Sequence, residues 1–432
     1  MSPPFLLSRR HLLRLLGAAG VALPSSGLGP TPKVHAAVSA QVETPLPYAT
    51  GPEPNPYWNA VGPLRSLPQK VPLIQLTDRP VQLETPRHYF LEALTPTAAF
   101  FVRWHLPWHP RSIDLAAWRL QILGHLEKPL QLSFAQLLSD FAPVTVTAVN
   151  QCAGNSRSRF SPRVPGSQWG NGAMACGQWT GVRLRDLLSR AGVKKGALQV
   201  QFAGLDQGSG PEGSGAARFL KSLDLASDAM DEAVLAYACN GEPLPLLNGF
   251  PLRLVVPGYF ATYWVKALSV IRVLSQVDDN FWMKTAYRIP NRPQGAITPA
   301  ELAAGPVPTI PLGRMPVRSF LISPDGSSKL PQGLAITLRG VAFSGWSRVT
   351  KVEWSADNGR AWNPAQLGAE SERYGFRTWS ARFTPKTLGR YVVAVRATDG
   401  SGNTQSDAML WNPGGYLWNK IERQEVIVGP AA

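Results

Sequence analysis

The chain of 432 residues is 44% hydrophobic and carries a formal net charge of +15, a size and composition that fit a soluble enzyme of two or three domains. Its three cysteines, Cys152, Cys176 and Cys239, are too few for a disulfide-held scaffold, and no Cys-x-x-Cys-His or zinc-type spacing occurs, which excludes a covalently attached c-type haem in this chain. Met1 to about Ala40 reads as a targeting segment. Ser8-Arg9-Arg10-His11-Leu12-Leu13 is a twin-arginine pattern, and the apolar run Leu15 to Leu23 is too short to span a bilayer as a stable helix. Val-His-Ala and Val-Ser-Ala offer cleavage after Ala36 or Ala40. This route delivers proteins to the periplasm already folded around a cofactor, and no later stretch predicts stable membrane insertion. Arg9, Arg10, Arg14 and Lys33 leave with a leader that contains no acid, so the exported chain stays basic at about +11.

Residues 41–81 are rich in proline and read as an extended arm wrapping a body. From Ala98 to Pro107, AAFFVRWHLP is an aromatic, strand-forming run in which the period of two puts Arg103 and His105 on one face. A cation and a titratable imidazole would then flank one pocket. Trp118 to Leu123 alternates as a strand, and Ser133-Phe134-Ala135-Gln136 has the capping-box spacing of a short helix. Val144 to Val149, VTVTAV, is β-branched and predicts a buried strand that delivers Cys152 at its C-terminal edge.

The stretch from Asn150 to Trp179 combines a lone thiol with Arg157, Arg159 and Arg163 and contains no carboxylate, so an anion is expected there. Gly154, Gly166, Gly170 and Gly172 let the backbone approach a bound group closely. Gly181 to Ala191 reads as an amphipathic helix, and Leu198 to Ala203 as a strand ending in Gly204-Leu205-Asp206. Asn240 to Pro245 forms a turn before Gly249 to Gly258, GFPLRLVVPG; Tyr263-Trp264-Val265-Lys266 and Asp278 to Pro290, DDNFWMKTAYRIP, follow. Pro290 to about Met315 reads as a proline-rich linker. Beyond it, Ala335 to Val341, Thr350 to Trp354 and Tyr391 to Ala397 alternate as strands between turn signals at Asp357 to Arg360 and Asp399 to Asn403, the pattern of an immunoglobulin-like β-sandwich without its disulfide.

Cys152-Ala153-Gly154-Asn155 followed by basic residues, Arg103-Trp104-His105-Leu106-Pro107, the GFPLRLVVPG run, Lys266 and the spacing of Trp282 to Tyr287 together resemble the sulfite oxidase family of molybdenum enzymes, in the pattern of bacterial periplasmic sulfite dehydrogenase catalytic subunits. The resemblance covers nearly the whole chain after the leader. It implies an α+β fold: a mixed α/β molybdopterin domain over residues 41–305, after a signal peptide of residues 1–40, and an immunoglobulin-like dimerisation domain over residues 306–432. It makes Cys152 the thiolate ligand of molybdenum, a role that suits a soft donor, with oxo groups and one pterin dithiolene as the other ligands. Arg103, His105, Asp206, Asn248, Arg253, Trp264 and Lys266 are implied to hold the cofactor beside Cys152, Arg253 facing the pterin phosphate. Tyr287, Arg103, Arg157 and His105 are implied to be catalytic: the arginines hold sulfite oxygens, Tyr287 orients the substrate, and His105 fixes the pterin and tunes protonation.

Two departures matter. Asn248 stands where the animal enzymes carry a histidine, and an amide hydrogen-bonds without carrying charge. Trp411-Asn412-Pro413-Gly414-Gly415 stands where they carry Trp-Asn-Leu-Arg-Gly, so the arginine that the second domain lends to their pocket is missing and anion binding is left to Arg103 and Arg157.

The expected function is oxidation of sulfite to sulfate by an exported molybdenum enzyme. With no cytochrome b5-like region ahead of the molybdenum domain, electrons are expected to go to a separate c-type cytochrome, and the protein to be a homodimer or a heterodimer with a cytochrome subunit. Nucleic acid is not an expected partner. Two relatives on the same scaffold, a sulfane-sulfur dehydrogenase and a methionine sulfoxide reductase, are the alternatives, the latter disfavoured by the sandwich. A non-catalytic secreted binding module is the alternative of a different class. No Ser-His-Asp or glycine-rich nucleotide signature competes.

Overall fold

The computed structural model describes residues 58–209 and 216–431; the expected twin-arginine leader and the first part of the expected arm lie outside the described residues. Among them, no helix is long and apolar enough to cross a membrane.

The first domain is built on two sheets. One has the order Leu220–Asp224, Gln199–Gly204, Leu268–Leu274, Arg119–Gly124, Leu130–Ser133. Leu268–Leu274 and Arg119–Gly124 run parallel and the other pairs antiparallel. The second has the order Glu242–Pro243, Val234–Cys239, Met174–Arg183, Pro143–Gln151, with Arg253–Val255 also paired to Val234–Cys239. Both contribute to one apolar core, from Leu120, Ile122, Phe202 and Ile271 on the first to Val149, Cys176, Val182 and Leu235 on the second. The helical content is small. Ser133 caps the helix Phe134–Asp140 and Gln136 closes the capping box. The helix Leu184–Ala191 buries Leu184, Leu187, Leu188 and Ala191, one stripe by the helical period. It starts three residues later than Gly181 because Gly181, Val182 and Arg183 are held in the ladder against Ala236, Leu235 and Val234. A Cβ at Gly181 would lie 2.1 Å from the Leu235 carbonyl oxygen.

Two other expectations change. The end of the arm is not merely extended: Leu64–Arg65, Leu73–Thr77, Gln82–Glu84 and Val102–Arg103 form a four-stranded sheet. The proline-rich linker is ordered as an antiparallel ribbon of Arg288–Pro290 with Thr309–Pro311 and the short helix Pro299–Ala303, whose Thr298 and Glu301 form another capping box. The 305/306 boundary falls inside this element.

The second domain consists of two sheets, ordered Arg318–Ser323, Ile336–Phe343, Arg377–Phe383, Gln366–Leu367 and Leu330–Pro331, Glu422–Gly429, Gly389–Asp399, Val349–Ser355, Asn363–Pro364. Leu321, Leu338 and Trp379 of one share a core with Val352, Val395 and Val426 of the other. At the expected turn, Asn358 and Gly359 both have positive φ, and the Asp357 carboxylate accepts from the amides of Arg360 and Ala361. The strand Arg318–Ser323 is buried throughout. By the period of two, Leu321 faces its own domain's core, whereas Phe320 and Ile322 belong to the core of the first domain. Arg318 shares their face.

Candidate active site

Pro143–Gln151 and Met174–Arg183 pair in unbroken antiparallel register out to Gln151 opposite Met174. The long connection between them therefore leaves the hairpin at Cys152, whose amide donates to the Ala173 carbonyl. Asn155 ties the loop across its base, donating to Gln151 and accepting from the Ala173 amide. The β-branched half of the strand is partly exposed, and only Ala148 to Gln151 are buried.

Cys152 faces a cavity lined also by Phe101, Arg103, His105, Asn150, Asn248, Arg253, Thr262, Lys266 and Tyr287. Seven of the expected site residues thus converge: Arg103, His105, Cys152, Asn248, Arg253, Lys266 and Tyr287. Arg103 and His105 do so without the expected strand, which ends at Arg103. His105 is instead fixed by a ring stack on Phe219 at 3.6 Å and by the Tyr287 hydroxyl, 2.5 Å from its Nε2. Tyr287 has φ +55°, a strained value for a bulky side chain, and its ring stacks on Tyr416 of the second domain at 5.6 Å.

Three expected residues stand off the cavity wall. Trp264 lies behind Arg253, 5.6 Å from its guanidinium, with its indole N–H on the Tyr259 carbonyl. Asp206 is buried next to Lys266, which favours its ionised form. Arg157 donates to the carbonyls of Gly414, through Nε and Nη2, and of Ser167, while Tyr416 covers its face. The Gly154 position explains itself here: a Cβ would lie 2.5 Å from the Arg157 guanidinium, and Gly166 and Gly415 leave it room from other sides. The group that these glycines approach closely is the chain's own arginine. Gly170 and Gly172 instead receive the backbone of Asn59 and Thr85, and their amides donate to the buried Glu84 carboxylate. Arg159, expected to await an anion, is paired with Glu422 of the second domain at 2.6 Å.

The electrostatics are one-sided. Burial, then Arg253 and Arg103, pushes the Lys266 amine down; burial pushes Asp206 up. Burial holds His105 well below its ordinary range, with Arg103, Lys266 and Lys221 adding to the effect, so the imidazole is neutral. Two further lysines carry no local signal in the sequence. Lys221, fully buried, donates to the Trp282 carbonyl and lies over the rings of Tyr263 and Tyr287. Lys70 donates to Asn248 Oδ1 at 2.8 Å, placing a cation behind the amide. Burial lowers both to about 7.

The cavity wall is set up for an acceptor-rich anion. Arg103 Nη1, Asn150 Nδ2, Arg253 Nε and Thr262 Oγ1 are all buried there without a protein partner among the described residues, a costly state unless a ligand accepts from them. No group of three or more His, Cys, Asp or Glu side chains among the described residues is arranged to hold a metal by itself. A metal held at Cys152 would have one soft protein ligand and would take the rest from a bound organic group, whose oxygens and nitrogens the free donors would suit. Asn150 was within reach of sequence reasoning, because the period of two puts it on the side of Cys152. Thr262, Lys221, Lys70 and Tyr416 gave no such signal.

Residues 105–282 match the family described as oxidoreductase molybdopterin binding domain, and residues 311–428 the Mo-co oxidoreductase dimerisation domain. The chain is 32% identical over 393 residues to mitochondrial sulfite oxidase of Rattus norvegicus, covering 87% of this chain and 69% of that protein. It is 30% identical over 374 residues to the NADH nitrate reductase 2 of Arabidopsis thaliana, covering 80% of this chain and 40% of that protein. Among solved structures, the sulfane dehydrogenase SoxCD from Paracoccus pantotrophus is similar in fold, with a TM-score of 0.69 and 24% identity over 82% of this chain and 88% of that chain.

Proposed function

The chain belongs to the sulfite oxidase family of molybdopterin enzymes, and from that premise we propose that it is an exported sulfite dehydrogenase that passes electrons to a c-type cytochrome. Its cofactor is molybdenum-molybdopterin, which when bound supplies the two-electron redox step and the oxygen transfer. Sulfite and water give sulfate, two protons and two electrons, and the electrons leave one at a time to two haems. Arg253, Lys266, Asn150 and Thr262 are the residues to hold the pterin and its phosphate, and Cys152 the metal.

The observation that carries the reading is the convergence of Cys152, Arg103 and Tyr287 on one cavity whose free polar atoms are all donors. Arg103 presents an unpaired N–H to the substrate oxygens. Tyr287 is held by the hydrogen bond between its hydroxyl and His105 Nε2, so the hydroxyl is a fixed dipole at the cavity, and the neutral imidazole adds no charge. Arg157 acts mainly through its field, since three of its N–H bonds end on carbonyls that cannot neutralise it. Two sheets, antiparallel except where Leu330–Pro331 pairs parallel to Glu422–Gly429, over a shared core support an immunoglobulin-like reading of the second domain, and its family match supports a dimer.

One observation favours a second reading. The second domain offers the Arg157 face a carbonyl and the Tyr416 ring, a less anion-seeking surface than a guanidinium, which suits sulfane sulfur on a carrier. Metal and pterin analysis of the purified protein, followed by cytochrome c reduction with sulfite, with a sulfane-sulfur donor and with neither, tests both. Molybdenum-loaded protein that reduces cytochrome only with the sulfane donor would replace the first reading by the second.

A further inference from the structure

The segment that carries Cys152 is gripped from the second domain. Arg318, fully buried, donates from Nη1 to Gln151 Oε1 at 3.3 Å and from Nη2 to Ser156 Oγ at 3.0 Å. These two residues bracket Cys152-Ala153-Gly154-Asn155. The guanidinium is itself fixed by Glu422 Oε1 at 2.8 Å and by the face of Phe320 at 4.3 Å. The other oxygen of Glu422 accepts from Arg159 and from Asn171, on the near and far sides of the same loop. Asn171 in turn accepts from the Ser156 hydroxyl at 2.5 Å. Ser156 sits at φ +69°, a left-handed conformation that a non-glycine residue keeps only when its surroundings hold it.

We propose that Arg318 and Glu422 are positioning residues for Cys152: by clamping Gln151 and Ser156 they set the turn that aims the thiolate at the metal. The second domain is then part of the active site's construction as well as an assembly module. The charges do not stabilise the fold by themselves, because desolvating a buried arginine and carboxylate offsets most of their attraction, and apolar replacement of a whole buried pair is commonly tolerated. What such a pair supplies is a geometry. Fork-shaped donation from one guanidinium to three side-chain oxygens fixes both ends of a short loop, which an apolar contact does not. This is the supporting role that partners of metal ligands play elsewhere, where their loss costs about 10–100-fold in affinity or activity.

The proposal rests on Cys152 as the metal ligand but not on which sulfur compound is oxidised. It is tested with holoenzyme in which both partners are replaced, Arg318→Met with Glu422→Met, and separately with Ser156→Gly, which keeps the left-handed turn accessible and removes the hydroxymethyl group that Arg318 and Asn171 hold. The readouts are melting temperature, molybdenum per chain, the visible thiolate-to-metal charge-transfer band, and kcat against KM. The double variant also takes from Arg159 and Asn171 the carboxylate they donate to, so it should melt below the parent while still folding, and show a displaced band, less molybdenum, and a kcat lower by about tenfold or more with KM little changed. Ser156→Gly should move the band in the same direction by a smaller amount. A folded double variant with parental band, metal content and kcat overturns the proposal. Where the double variant does not fold, Ser156→Gly decides, and an unmoved band overturns it. A band displaced in the variants, with a molybdenum-loaded parent enzyme that is inactive on sulfite, upholds this proposal while refuting the sulfite reading.

Discussion

The Tyr287 hydroxyl and His105 Nε2 lie 2.5 Å apart, and each ring is fixed by a different neighbour: His105 by Phe219, Tyr287 by Tyr416. Burial keeps the imidazole neutral, so one ring nitrogen donates and the other accepts, and the tautomer sets which of Nε2 and the phenol is the donor. Tyr287→Phe keeps the stack and leaves a buried ring nitrogen without its partner, which costs about 1–3 kcal/mol. Steady-state kinetics should show a moderate fall in turnover and a lower melting temperature. Unchanged values of both would mean that the hydroxyl neither supports His105 nor reaches the substrate.

Cys152→Ser exchanges a soft anionic donor for a hard, weakly acidic one. Pterin should be retained through Arg253 and Lys266 while activity falls by several orders of magnitude. Cys176→Ser and Cys239→Ser should remain active, since burial pushes both thiols up to about 12 and neither lines the cavity. Near-normal turnover of a molybdenum-loaded Cys152→Ser protein would remove the cysteine from the metal.

Gly154→Ala should behave as an arginine mutation. The new methyl group would sit 2.5 Å from the Arg157 guanidinium, so the guanidinium must leave its place between Gly166 and Gly415. Such overpacking costs roughly 1–3 kcal/mol, and Arg157→Gln removes the charge together with its bonds to the Gly414 and Ser167 carbonyls, so either change takes the cation from its place. The two variants should raise the KM for sulfite to a similar extent, and combining them should add little. A Gly154→Ala enzyme with parental KM would show that the position of Arg157 does not govern substrate capture.

Lys221 predicts a dependence of stability on pH. Its amine is lowered by burial from 10.5 to about 7, so between those values the unfolded chain binds more protons than the folded one. Stability then rises with pH in that window, by at most about 1.4 kcal/mol per unit, and the full penalty is present below pH 7. Lys70 and Lys266 contribute in the same sense. Lys221→Met should flatten the rise of melting temperature from about pH 7 to about pH 9 without abolishing it. A slope identical to the parent's would place the Lys221 titration outside that range.

What can be read from the chain is what local order carries. The strand before Cys152, the capped helix after Ser133 and the turn at Asp357 follow from the propensities of adjacent residues, and each forms where its sequence places it. The ribbon that replaces the proline-rich linker is different, because Arg288–Pro290 finds its partner strand about twenty positions away. Most pocket residues are marked by motif resemblance, and the cavity brings them together. Where the sequence misleads, distance along the chain is the cause. Arg159 looks unneutralised because Glu422 belongs to another domain, and Gly154 looks like a ligand contact because the side chain it admits folds back from Arg157. Lys221 sits in an ordinary strand, LKSLD, with nothing local to mark it as lying under Tyr287.

The pair of Arg159 and Glu422 is separated by 263 positions, which gives the site a history in time. At synthesis rates of roughly 5–20 residues per second, the thiol loop emerges from the ribosome about 13–50 s before the carboxylate that closes on it. During that interval the first domain has its sheets but not the contacts that bracket Cys152. Loading of the cofactor is therefore expected to follow translation of the second domain, and a nascent chain stalled ahead of Glu422 should accept the pterin poorly even with its molybdenum domain fully made.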